Sequence, residues 1–130
     1  MRRRVCLAAV LALAPIAAGS AQPQRFAVDF TWAGTQSCFE PQSPPFILSS
    51  VPPGTTQLRF LMQDLDAPDY PHGGGTIAYS GQSSVPRGAF SYRGPCPPRG
   101  RHRYRWTVEA FDAAGRTLAT AVAVRPFPPG

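Results

Sequence analysis

The chain has 130 residues, with 13 arginines, no lysine and seven acidic residues, for a formal net charge of +6. That length suits one domain, and 43% hydrophobic with 15% charged residues excludes a disordered polyelectrolyte. Sixteen prolines and 12 glycines interrupt the chain too often for long helices and fit a turn-rich β domain.

In chain order, Arg2, Arg3 and Arg4 precede an apolar stretch from Val5 to Ala18, and Gly19, Ser20 and Ala21 are small. A basic, an apolar and a small-residue region in that order is a secretory signal peptide, residues 1–21. The apolar stretch is too short to favour a membrane span, and no Cys follows it to carry a lipid anchor. The expected mature chain, residues 22–130, is one domain exported to the periplasm or outside the cell. It loses three arginines and no acid, leaving 10 against 7, or +3. Every remaining cation is a guanidinium, suited to carboxylate or phosphate partners. Cys6 leaves with the leader. Cys38 and Cys96 remain as an even pair in an oxidising compartment, which predicts a disulfide.

Phe26, Val28, Phe30 and Trp32 alternate with Ala27, Asp29 and Thr31, the pattern of a half-buried strand. A loop over 35–45 carries Cys38. Short strands follow over 46–48 and, after the Pro52-Pro53-Gly54 turn, over 56–63. A loop over 66–75 ends in three glycines, Gly73 to Gly75, which permit tight backbone packing or positive φ. Strands are expected over 76–80 and 89–93, then a proline loop over 94–100. The run 102–111 alternates most clearly, and a turn at 112–116 leads into a strand over 117–124. No window shows a helical period. Short strands between Pro/Gly turns predict an antiparallel β-sandwich or barrel.

Two segments carry the functional signal. In the first, Asp64 shares strand parity with Leu58, Phe60 and Met62. In the second, His102 shares parity with Tyr104, Trp106 and Val108. Both polar side chains therefore face the apolar side at strand ends, and together they predict a small pocket with a polar floor.

The run Asp64-Leu65-Asp66-Ala67-Pro68 resembles the D-P-D-A-P motif of the phosphatidylethanolamine-binding protein family, whose bacterial members are called Raf kinase inhibitor-like proteins. Tyr92, Gly94, Pro97, Pro98, Gly100, His102, Arg103 and Tyr104 resemble its second motif. Ser43-Pro44 and the run 51–55 look like the segment before the first motif. The likeness spans about residues 43–112. It implies an all-β antiparallel β-sandwich with Greek-key connections, and a pocket for phosphate-like headgroups. By resemblance Asp64 and His102 are the pocket residues, Pro97 and Pro98 shape its rim, and Tyr92 and Tyr104 form apolar walls. Imidazolium N–H groups can hold an oxyanion, and the carboxylate can orient the ring. The family's usual His after the first motif falls on Ala78 when the glycines are aligned, so one donor is expected to be missing. His72, on the adjoining loop, is expected to be exposed.

Other chemistries fit less well. Asp64, Asp66 and Asp69 lack the Gly and Glu of a calcium loop. His72 and His102 lack zinc-ligand spacing. Arg99 to Trp106 mixes basic and aromatic residues, but period two sends arginines out and aromatics in, against nucleic-acid binding. No nucleophile motif accompanies His102, so no enzyme activity, metal or cofactor is expected. The reading is an exported, non-enzymatic protein that binds a small anion or phospholipid headgroup. The alternatives are an immunoglobulin- or fibronectin-like module with an envelope protein partner, or a decayed pocket with a structural role.

Overall fold

The structure is a computed structural model that describes residues 12–36 and 38–130. The expected leader lies partly outside the described residues, at 1–11, and residues 12–26 carry no regular structure. Among the described residues there is no helix, and so none long and apolar enough to cross a membrane.

Seven strands form two antiparallel sheets: β1 (Ala27–Phe30), β2 (Phe46–Ser49), β3 (Gln57–Asp64), β4 (Gly74–Ala78), β5 (Ser84–Val85), β6 (His102–Phe111) and β7 (Thr117–Phe127). One sheet has the order β1-β2-β5, the other β4-β3-β6-β7. Period two decides which faces meet. Leu58, Phe60, Met62 and Asp64 on β3 are buried, as are Tyr104, Trp106, Val108 and Ala110 on β6. Val28 and Phe30, then Phe46 and Leu48, supply the buried side of the smaller sheet. The layers share an aromatic core: Phe46 meets Phe60 at 4.7 Å and the Trp106 ring edge-on at 5.2 Å. Such pairs add roughly 0.5–1.5 kcal/mol beyond the area they bury. The Trp32 indole N–H donates to the Pro126 carbonyl at 2.8 Å, joining the β1 side to the end of β7.

The expected strand over 89–93 does not form as such. Residues 40–43 and 88–94 do exchange backbone hydrogen bonds, from Gly94 N–H to Glu40, Tyr92 N–H to Pro41 and Ser43 N–H to Phe90. Pro41 has no N–H to return, so the ladder is interrupted there and only Gln42 and Ser91 form a β-bridge. Two residues, Ser84 and Val85, complete the smaller sheet instead, and β7 continues three residues beyond its expected end. Strand β4 starts two residues early because the glycines themselves enter the sheet. Gly74 pairs with Leu61 and Gly75 with Phe60.

Tyr92 fills the core beside Trp106, with ring centroids 5.2 Å apart. Burial pushes its phenol up to about 12, and Thr35 beside it offsets only part of that. A group raised in the fold stabilises fully below its unfolded pKa of 10.0 and loses that stabilisation as pH climbs to about 12. We expect Tyr92 to contribute roughly 2–3 kcal/mol of alkaline destabilisation in this window, removed by Tyr92→Phe, while the Tyr104 phenol, also raised by burial, adds a loss that the variant keeps. Denaturant midpoints at about pH 9 and about pH 12 measure it. Equal losses in both proteins would assign the effect elsewhere.

Candidate functional site

Asp64 ends β3 and His102 begins β6, and these strands are neighbours in antiparallel register, with Asp64 opposite Tyr104. Residues 38 apart in sequence thereby meet: the His102 ring Nδ1 lies 2.7 Å from Asp64 Oδ2. An ionised carboxylate only accepts, so Nδ1 carries the hydrogen. The other oxygen, Asp64 Oδ1, accepts the backbone N–H groups of Asp66 and Ala67 at 2.9 and 3.1 Å. The turn after β3 is thus wrapped around the Asp64 side chain, as an Asx-turn. Asp64 is only 4% exposed, and three charge-assisted hydrogen bonds offset the cost of burying it.

The second aspartate of the motif anchors the same turn from outside. Asp66 Oδ2 accepts the Arg103 backbone N–H at 2.7 Å, and its other oxygen pairs with the guanidinium at 3.1 Å. The side-chain and backbone hydrogen bonds from Arg103 hold the Asp66 carboxyl below the usual aspartate range. Asp64 and Asp66 thus each bond to protein partners on both carboxylate oxygens.

These groups border a cavity of about 290 Å³. Its polar members are Asp64, His72 and His102, and the rest of its wall is apolar or aromatic. Tyr104 and Pro98 contribute to it as the motifs suggest, and Tyr70, Phe39, Ala67 and Cys96 complete it. Burial, then the neighbouring Asp64 carboxylate, keep the Tyr104 phenol far above its ordinary range, so it stays neutral. Tyr92 is not part of this wall, because its ring points into the core. Pro97 does not line the cavity either; of the proline pair, only Pro98 does.

His72 changes the picture most. The residue expected to be exposed is only 4% exposed. Its Nδ1 donates to the Arg93 carbonyl at 2.6 Å, while Arg93 N–H donates back to the His72 carbonyl at 2.8 Å. The ring packs edge-on to Tyr104 at 5.5 Å and beside Tyr70 at 4.7 Å. Ala78 lies far from the cavity: it is exposed and pairs with Gln57, at the end of β3 opposite Asp64. The cavity therefore has two imidazoles, His72 and His102. Each commits Nδ1 to the protein, and the Nε2 of neither has a hydrogen-bond partner among the described residues. The sequence signal for His72 was its place between Pro71 and Gly73, where φ is fixed on one side and positive (73°) on the other.

The expected disulfide is present. Cys38 and Cys96 are bridged, with Cα atoms 4.7 Å apart, and Cys96 borders the cavity.

The all-β fold of two antiparallel sheets is similar to that of the phosphatidylethanolamine-binding proteins. Two solved structures carry the likeness. One is a phosphatidylethanolamine-binding protein homologue from Chlamydia trachomatis, with a TM-score of 0.62 and 19% identity over 82% of this chain and 99% of that one. The other is YbcL of E. coli, described as a member of the mammalian family, with a TM-score of 0.61 and 19% identity over 80% of this chain and 98% of that one. At such identity the likeness speaks for the fold. No family model matches the sequence, and no curated protein matches it.

Proposed function

We propose that this chain is an exported, non-enzymatic binding protein for a small oxyanion, either free or as the phosphate of a phospholipid headgroup. The frame is read as a Greek-key sandwich over residues 22–130, with residues 1–21 as a leader. The observation that carries the reading is the pair of imidazoles on one cavity, each with Nδ1 held and Nε2 uncommitted. Protonated, each ring offers an N–H to a ligand oxygen, and each adds a positive charge. The buried Asp64 carboxylate would repel an anion on its own. Its three hydrogen bonds spread that charge, so its role is to orient His102. Arg93, over the Tyr70 ring at 6.0 Å, adds positive charge beside the same wall.

The non-enzymatic reading rests on the lining residues. They include no serine, and the one cysteine among them is bridged. The bridge, and the absence of a spanning helix among the described residues, are compatible with export.

Sulfate is a suitable probe, because it is a small, doubly charged oxyanion. We expect weak binding, in the millimolar range or about −4 kcal/mol. His102→Ala and His72→Ala should each weaken it about tenfold, whereas Arg103→Gln should change it less than twofold. Titration followed by backbone amide NMR reads this. Unchanged binding in both His variants would reject the pocket. No binding in the wild type would favour an interaction module or a structural role.

A further inference from the structure

Phe39 combines three features. It borders the cavity, yet its side chain is half exposed, at 50%. Its backbone has φ 56°, a left-handed conformation that an aromatic residue rarely adopts. Its ring stacks on that of Tyr70, with centroids 6.2 Å apart and planes 27° from parallel. A non-glycine residue keeps such a φ only when its neighbours impose it. Here they do so on both sides: Cys38 is bridged to Cys96, and Glu40 accepts the Gly94 N–H at 3.1 Å. Gly94 fits there because a Cβ would come within 2.7 Å of the Glu40 backbone nitrogen. The 38–40 segment is thus clamped to the 94–96 segment at two points, and Phe39 is held between them against the cavity.

We propose that Phe39, strapped in place by the Cys38–Cys96 bridge, is the specificity-determining residue of the cavity, selecting oxyanions that carry an apolar substituent over bare ones. The inference rests on the anion-site reading above. The two imidazoles would hold the oxyanion, and the neighbouring wall of Phe39, Tyr70 and Pro98 has no charge with which to do so. An inorganic anion would leave that wall in contact with water, whereas an alkyl group covers it, with a gain for each methylene buried. Phe39 has no other evident task, since its exposed ring adds nothing to the core and a polar residue would adopt its φ more easily.

Methylphosphonate and butylphosphonate share one headgroup and differ by three methylenes, so they separate the two halves of the site. The full mature chain should bind butylphosphonate about tenfold more tightly. In Phe39→Ala the preference should shrink to about twofold, mainly through weaker butylphosphonate binding, and Phe39→Leu should restore most of it. Reducing the bridge, in protein shown by circular dichroism to remain folded, should reproduce the Phe39→Ala pattern. If reduction unfolds the chain, the Phe39 variants decide the matter alone, because an exposed side chain can be truncated without loss of the core. Equal affinity for both phosphonates, or a preference untouched in Phe39→Ala, overturns the role of Phe39 and leaves the anion site standing. Failure of both ligands to bind overturns the anion site and this inference with it.

Discussion

Replacing both bridged cysteines by serine should lower stability by about 3–4 kcal/mol, close to 15 °C in Tm for a domain of this size. The bridge spans a sequence separation of 58, and a cross-link over a long loop removes much of the freedom of the unfolded chain. Its place in the fold adds to that. It joins two segments with little regular structure, one before β2 and one before β6, that otherwise meet through the interrupted ladder around Pro41. The core sheets do not need the bridge to form, so the variant should fold at low temperature and melt early. Denaturant midpoints of the oxidised wild type and the double variant give the difference. A loss below about 1 kcal/mol would mean that the unfolded chain is already confined, or that other contacts hold the segments.

Gly74→Ala should cost roughly 3 kcal/mol or more, although the glycine has ordinary φ and sits in a strand. A Cβ at this position would come within 1.7 Å of the Phe60 carbonyl oxygen and 2.7 Å of its carbon. Those are backbone atoms of β3 and cannot swing aside, so β4 must separate from β3 at the end that leads to His72. Gly73 next to it is the informative control. Nothing lies within 4 Å of a Cβ there, and only its φ of 73° resists a side chain. Gly73→Ala should therefore cost about 1 kcal/mol. The ordering separates close backbone approach from conformational freedom as the reason for the glycine run. Equal effects of the two substitutions would assign both to the backbone conformation alone.

Much of the fold was legible because β3 and β6 obey period two without interruption. Leu58 to Asp64 and His102 to Ala110 each place alternate residues inward, and that parity alone brought Asp64 and His102 to the same side. The reading failed where hydrogen bonding, not side-chain pattern, decides the element. Residues 89–93 alternate well enough, yet their partner segment contains Pro41 and cannot complete a ladder. Strand β5 is two residues long, too short to have a period at all. Within the site, Tyr92 and Tyr104 look equivalent in their motif, but one follows the proline-limited ladder into the core and the other rides on β6. His72 was missed because counting from the glycines pointed to Ala78, and only the pairing of Gly74 with Leu61 shows which end of β4 adjoins Asp64. Long-range pairing of this kind leaves no mark in a local window.

The two-imidazole site is tested most directly at the ring nitrogens themselves. In protein labelled with ¹⁵N at histidine, sulfate or phosphoethanolamine should shift the Nε2 resonances of both His72 and His102. Their Nδ1 resonances should move little, because those atoms are held by Arg93 and Asp64. Rings that do not respond to saturating anion, or that respond only at Nδ1, would contradict an oxyanion site between them.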